Sequence, residues 1–448
     1  MRRRSASAAC AAFLVICAAG PAGAGVGDVF GMGAEVMSMA GSGSALVTGP
    51  WAAHHAPAGL AFAQANRLST GVVAIGSKLE IRGIHTPIED PVGFLAGYSF
   101  VRKLPGRVFT SIGFGIAAYL LPDTLGHVIQ RTPETPYFIV YDNRTQRDMF
   151  VPALAVGLGN VLSLGLSLDV LAGLEGPITV RQGQAGEAES SLFLDVISTL
   201  RPTPSIEVRP GAGLSFALTY HPAFHVPYSL DVDAEVSGLD IEMHVKARAL
   251  YTPHTLVLGM GWTLPRVRFA LDISWAMWSR LGSPFVEVET RMLEVGLLVP
   301  SNPEVQTRDT LGVRLGIEGK VLSTPSADLF LRGGYGYESP VVGPQSGRSN
   351  VMDGHKVTVA AGLGAAWKTG IQGFPRVLVD LHAGAVWVSR LTHIKKVHSP
   401  GEGRDDPTLI VDEDESTPGT QISNPGYPDI SGSGWVLTTA FTLTLEMR

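Results

Sequence analysis

The stretch Trp435-Val436-Leu437-Thr438-Thr439-Ala440-Phe441-Thr442-Leu443-Thr444-Leu445-Glu446-Met447-Arg448 carries the pattern on which the fold turns. Trp435, Leu437, Thr439, Phe441, Leu443, Leu445 and Met447 fall on one face, and the residues between them on the other. A period of two held this long is a β-strand with two unlike faces. Val267–Trp278 repeats it: Phe269, Leu271, Ile273 and Trp275 alternate with Arg268, Ala270, Asp272 and Ser274. Leu311, Val313, Leu315 and Ile317 alternate with Gly312, Arg314, Gly316 and Glu318, and Ile241, Met243, Val245 and Ala247 with Glu242, His244, Lys246 and Arg248. A soluble sandwich also alternates, so length decides. Ordinary strands run about 5–6 residues, whereas strands that cross a membrane need roughly 9–11.

Extending the pattern predicts fourteen strands, at 68–82, 92–103, 107–120, 147–158, 162–175, 189–200, 205–218, 239–264, 267–278, 308–320, 326–338, 355–367, 376–390 and 434–447. Short turns are expected at Pro105-Gly106, Gly159-Asn160, Pro202-Thr203-Pro204 and Pro265-Arg266, and longer loops around 121–146, 219–238, 279–307 and 391–433. An even count with short turns at one end and long loops at the other is the outer-membrane pattern. The last loop is acidic, with Asp412-Glu413-Asp414-Glu415 at its centre. In 239–264 the apolar phase flips around Tyr251-Thr252-Pro253-His254. A bulge explains the flip within one strand, since two strands would give fifteen. Trp262, Trp275, Trp278, Trp367, Trp387 and Trp435 all fall in these strands. They read either as aromatic girdles or as ordinary strand residues.

Composition agrees. Mean hydropathy is +0.20, yet past residue 24 no continuous apolar run has helical length, and alternation reconciles the two. Residues 1–24 read as a secretory signal peptide: Arg2, Arg3 and Arg4, an apolar stretch from Ala8 to Ala19, then Ala22-Gly23-Ala24 for cleavage. A lipoprotein signal at Cys17 is the competing reading, opposed by the bulky Ile16 before it. Both cysteines, Cys10 and Cys17, lie in this segment. The mature chain then has no thiol for a disulfide, a metal or a nucleophile. Removing the three arginines from 34 basic residues leaves 31 against 40 acidic ones, a formal charge of −9. Such a surface does not suit nucleic acid.

Gly25–Gln64 lacks strand periodicity and is dominated by Gly, Ala, Ser and Met. Pattern alone leaves it open as a disordered tail or a lumen plug. Its motifs Gly31-Met32-Gly33-Ala34, Met39-Ala40-Gly41-Ser42-Gly43-Ser44-Ala45 and Ala56-Pro57-Ala58-Gly59-Leu60 resemble the N-terminal hatch of FadL-type outer-membrane transporters, with Ala56 where that family carries asparagine. Asp272-Ile273-Ser274-Trp275-Ala276-Met277-Trp278-Ser279, Arg308-Asp309-Thr310, and Arg332-Gly333-Gly334-Tyr335 through Ser339-Pro340-Val341 to Asp353 and Gly362-Leu363-Gly364 resemble later motifs of the same family, in order. The resemblance implies an all-β fold: a transmembrane antiparallel barrel of about 14 strands over 65–448, plugged by a hatch at 25–64. It implies passive uptake of hydrophobic small molecules such as long-chain fatty acids or aromatic hydrocarbons, in contact with outer-membrane lipid and lipopolysaccharide. It also implies lateral release where the third strand kinks, next to Gly113 and Gly115. The family usually ends in an aromatic residue; here Phe441 is the nearest candidate.

Among the inward charges, Arg314 and Arg332 are the first candidates to grip a ligand carboxylate, against the plainer reading that such charges pair across a wet lumen. His54-His55 and His221-Pro222-Ala223-Phe224-His225 make a poor metal set, because adjacent histidines on an extended chain point apart. The Gly-x-Gly stretches at Gly113, Gly157, Gly211 and Gly362 read as strand glycines, and no Gly-x-Ser-x-Gly elbow or phosphate loop is present. No cofactor and no enzyme activity are expected. The alternatives to a transporter are a binding or assembly partner for secreted surface proteins, without ligand flux, and an outer-membrane hydrolase.

Overall fold

The computed structural model describes residues 26–447 apart from 83, 87–89, 123–134, 142–147, 176–177, 183–187, 193–194, 237–238, 283, 286, 293–304, 344, 346–348, 372 and 395–428. The signal-peptide reading and most of the acidic loop, including Asp412-Glu413-Asp414-Glu415, lie outside the described residues.

Fourteen strands form a closed antiparallel barrel: β1 Asn66–Ile81, β2 Val92–Lys103, β3 Phe109–Leu120, β4 Met149–Leu158, β5 Leu162–Glu175, β6 Asp195–Gly211, β7 Leu214–His221, β8 Thr255–Thr263, β9 Val267–Ala276, β10 Thr310–Ser323, β11 Ala327–Glu338, β12 Lys356–Ile371, β13 Phe374–Ile394 and β14 Asp429–Met447. Each pairs with its neighbours, and β1 closes on β14 from Asn66↔Met447 to Ile81↔Gly432. Closure leaves no edge strand, which is what hydrocarbon demands. Among the described residues no helix is long and apolar enough to cross a membrane.

The apolar faces point outward. Trp435, Leu437 and Phe441 on β14, and Leu311, Val313, Leu315 and Ile317 on β10, are exposed, while Val436, Thr438, Ala440 and Thr442 are buried in the lumen. This orientation separates a membrane barrel from a soluble one, whose apolar face would turn inward. The tryptophans mark two levels. Trp275, Trp387 and Trp435 ring the loop end, Trp262 and Trp367 the turn end, and all five are exposed. Trp367 stands opposite Val377, ten residues from Trp387 along β13. That is roughly 33 Å of strand, or roughly 25 Å of height at barrel tilt, the thickness of an outer-membrane apolar band. Trp278 departs from the girdle reading, being buried beneath the loops.

Three sequence-based boundaries need correction. Segment 239–264 is two strands, not one bulged strand. Leu239–Thr252 forms a hairpin with Phe224–Val236, inside the expected 219–238 loop, and also pairs with Glu287–Met292; only β8 belongs to the barrel. The count stays even because the whole hairpin is added between β7 and β8, so positions 242, 244, 246 and 248 lie on a strand outside the wall. Pro202 and Pro204 are not a turn but lie within β6, beyond its last pair with β7 at Ser205↔Thr219. They sit where the missing N–H removes no ladder bond on the β7 side. The turn is Gly211-Ala212-Gly213, all at positive φ. Finally, β13 and β14 run past 391 and 433, pairing at Leu391↔Gly432 and His393↔Ile430. Pairing beyond the membrane needs no apolar face, so the hydrophobic pattern stops before the strand does.

Candidate functional site

The lumen is filled by the N-terminal segment, which carries three short helices, α1 Val26–Phe30, α2 Ala34–Met37 and α3 Ala52–His55, and a 3-10 turn Pro57–Phe62. Small inward side chains of the wall bond to its backbone. The Ala58 N–H donates to Ser205 Oγ at 2.8 Å, and the Ser163 and Ser111 hydroxyls donate to the carbonyls of Ala58 and Ala61 at 3.0 and 2.7 Å. Ala34 N–H donates to Thr442 Oγ1 at 3.1 Å. On β9 the Asp272 carboxylate takes three hydrogen bonds at one oxygen, from the N–H groups of Gly43 and Ser44 at 3.2 Å each and from Ser44 Oγ at 2.6 Å. Irregular backbone buried from water needs such partners. The serines and threonines that read only as "small inward residues" are therefore its anchors.

Close approach explains the glycines. A Cβ on Gly113 would lie 2.6 Å from the Leu60 carbonyl carbon, and one on Gly115 2.9 Å from its methyls. Gly113 and Gly115 thus form a dent that seats Leu60. The motif Ala56-Pro57-Ala58-Gly59-Leu60 and the two glycines, far apart in sequence, meet at one contact. Ala56 is fully buried in a patch with Ala45 and Ala217. Where the resemblance leads one to expect an amide, this chain has methyl packing.

Charges line the turn-side half of the lumen as a connected network. Glu35 of α2 accepts from Arg268 Nη2 at 2.7 Å, Arg268 also grips Glu318 at 2.7 and 2.6 Å, and Arg332 joins Glu318 at 2.7 Å to Asp380 at 2.6 Å. Arg67 and Arg376 share Glu446 at 2.9 and 3.6 Å. On the other side Arg201 pairs with Asp169 and lies 3.4 Å from Asp28. His54 and His55 lie on α3, not on extended chain, and their rings approach to 5.1 Å, with His221 at 5.9 Å from His54. Among the described residues no group of three or more His, Cys, Asp or Glu is placed to hold a metal ion.

Apolar side chains from the loops cap the other end. Tyr137–Phe138 pairs in parallel with Val351–Met352, and with Trp278, Leu281, Phe285 and Val341 they belong to the same buried cluster as Phe30 of α1, whose ring stacks on Tyr141 at 6.4 Å. Two loop carboxylates brace this cap. Asp309 accepts from Trp275 Nε1, and from the Ser279 N–H and hydroxyl, the last at 2.6 Å; the Ser279 hydroxyl bond leads in holding its carboxyl below the usual range. Asp353 accepts from the Val341 N–H and Lys356 Nζ at 2.7 Å each, while burial pushes its carboxyl up. Below the cap lies a cavity of about 120 Å³, lined by Phe30, Tyr141 and Trp278 on its apolar side and by His54, His55 and Arg314 on its polar side.

Solved structures share this fold over nearly the whole chain. A Pseudomonas aeruginosa FadL homologue superposes with a TM-score of 0.52, covering 95% of this chain and 98% of its own at 13% identity. The fold is that of a FadL-type barrel. CymD, a monoaromatic hydrocarbon channel, matches at TM-score 0.50 and 14% identity over 94% of this chain and 99% of its own. The Ralstonia pickettii toluene transporter TbuX matches at 0.50 and 13% over 94% and 100%. No family model and no curated protein matches the sequence.

In this FadL-type barrel the candidate residues separate. The two glycines expected beside a kink lie on a continuous ladder: β3 pairs with β2 and with β4 from Ser111 to Tyr119, and the one register shift, between Phe109 and Ser111, comes before them. Arg332 is buried between two carboxylates. Arg314 faces the capped cavity, with Glu338 at 3.9 Å and a 3.4 Å bond to the Val29 carbonyl. Ser111, Ser163, Ser205 and Thr442 are not singled out by the sequence; Asp272 reads there as one of several inward charges and as part of a motif, not as an anchor.

Proposed function

We propose that this protein is a channel of the bacterial outer membrane for passive passage of hydrophobic small molecules, with the N-terminal segment as its hatch. The observation that carries this reading is the order of chemistry along the lumen. An apolar cap lies towards the loop end, a small cavity of mixed polarity follows, and a segment seated by small residues lies beyond it. A general porin keeps a water-filled path open. Here an apolar cluster lies beside the cavity on its loop side, a medium that a lipophile prefers to water. Long-chain fatty acids and compact aromatic hydrocarbons are the ligand classes this order suits, and Arg314, which lines the cavity, would meet an acidic head.

Lateral release follows as part of the same reading. At Gly113 and Gly115 the wall is bare backbone once Leu60 withdraws, so movement of the hatch and opening beside β3 would be one event. The test is uptake of labelled long-chain fatty acid and labelled toluene by cells lacking their own transporter. They carry either the intact chain or one with Ala56–Leu60 replaced by a glycine-serine linker, at equal levels in the outer membrane. Saturable uptake of either compound by the intact chain, changed by the linker, is the expected result. No uptake of either from a correctly inserted barrel would sink the reading.

A further inference from the structure

The turn-side cavity, about 300 Å³, is walled by cations and by apolar surface together. Its wall cations are Arg67, Arg266, Arg268, Lys320, Arg332 and Arg376. The wall acids that face them are four: Glu318 between Arg268 and Arg332, Asp380 on Arg332, Glu446 between Arg67 and Arg376, and Asp328 near Arg376 and Lys320 at 3.6 and 4.0 Å. Among the described residues of this network, the fifth carboxylate comes from outside the wall. It is Glu35, the acidic residue in the first turn of the four-residue α2. It stands 2.7 Å from Arg268 in the combined field of Arg268, Arg332 and Arg67. Its side chain keeps 29% of its exposure, so it borders the cavity rather than being sealed behind it. Trp51, Val47, Phe330 and Leu378 line the same space, with Lys320 and Arg332 each 5.7 Å from the Phe330 ring.

We propose that this cavity is a binding site for an amphiphilic anion, an apolar body bearing a carboxylate or phosphate, and that Glu35 is its resident occupant. The incoming head takes the place of the Glu35 carboxylate on Arg268, its body lies on the Trp51 and Phe330 side, and α2 is released. Arg268 then has an anionic partner besides Glu318 in either state, its own segment or the ligand. A neutral hydrocarbon has no means of displacing Glu35. This rests on the hatch reading above only for its consequence in transport; the binding step stands on the cavity alone.

The experiment is calorimetric titration of the purified full barrel, in a neutral detergent, with laurate, dodecyl phosphate, dodecanol and inorganic phosphate. Glu35→Gln removes the resident charge at nearly constant shape. It is expected to tighten laurate and dodecyl phosphate about tenfold, the worth of one charge-assisted hydrogen bond, with dodecanol unchanged. Arg268→Gln is expected to lose the gain for both anions. Folding of each variant is confirmed by retained heat-modifiable migration. Equal effects on laurate and dodecanol would overturn the proposal, as would tightening of inorganic phosphate alone, which would mark a site for free anions. Tightening by Glu35→Gln in a barrel that supports no uptake would keep the anion site and remove the transport reading. Uptake by a barrel without such tightening would do the reverse.

Discussion

Ala56 shows how one side chain sets the terms of the lumen. It is fully buried against Ala45 and Ala217, on a backbone extended at φ −159° and ψ 90°. Replacing it with the asparagine of the resembling motif places an amide among methyl groups. Ala56→Asn should loosen the segment by about 1–3 kcal/mol, the cost of a buried polar group without a partner. Hydrogen exchange is the measurement: amides of 52–62 should lose protection while barrel amides keep theirs. Equal or greater protection would mean that the amide finds a partner here after all. At this scale the sequence was least informative. Gly113 and Gly115 read as strand glycines beside an implied kink, because nothing local shows that Leu60, more than fifty residues earlier, occupies the space where their Cβ atoms would stand. Ser205 and Thr442 look like any small inward residue until the backbone of the segment is placed against them.

Among elements, the strands were legible for a physical reason. Lipid on one side and a packed lumen on the other impose a period of two on every membrane-crossing residue, so β9, β10 and β14 could be read with their faces correctly assigned. The same reading failed where that constraint stops. The hairpin 224–252 alternates like its neighbours, so pattern could not show that it lies outside the wall; the phase flip at Pro253-His254 was the true signal, and it marks a change of strand. The turn Gly43-Ser44 depends on one carboxylate from β9. Asp272→Ala leaves two buried N–H groups without their acceptor. It should free this turn by about 1.5–3 kcal/mol, the range for hydrogen bonds to a charged group. Faster exchange at 43–46, with increased entry of a small hydrophilic antibiotic into cells, would check it. Unchanged exchange would show that the glycine dents hold the segment without Asp272.

For the whole barrel, the question is whether the wall opens. Ala117 on β3 stands opposite Val151 on β4, and both face inward. Directly opposed residues have Cβ atoms roughly 4.5–5.5 Å apart, near disulfide reach, and the chain past residue 24 has no cysteine of its own. With Ala117→Cys and Val151→Cys joined, lateral release predicts that uptake falls several-fold and returns on reduction. Uptake indifferent to the oxidised bond would leave axial passage as the route. The distribution of anchors has another consequence, for the order in which this molecule comes together. The bond from Ala34 to Thr442 joins residues 408 positions apart, and other anchors lie on β3, β5, β6 and β9. Contacts of such long sequence separation form late and slowly. The bond from Ala34 must therefore wait for the last strand. When β14 zips onto β1, the wall closes around a guest already bonded to several of its staves, so the segment that lies in the finished lumen is also the template that can align its strands.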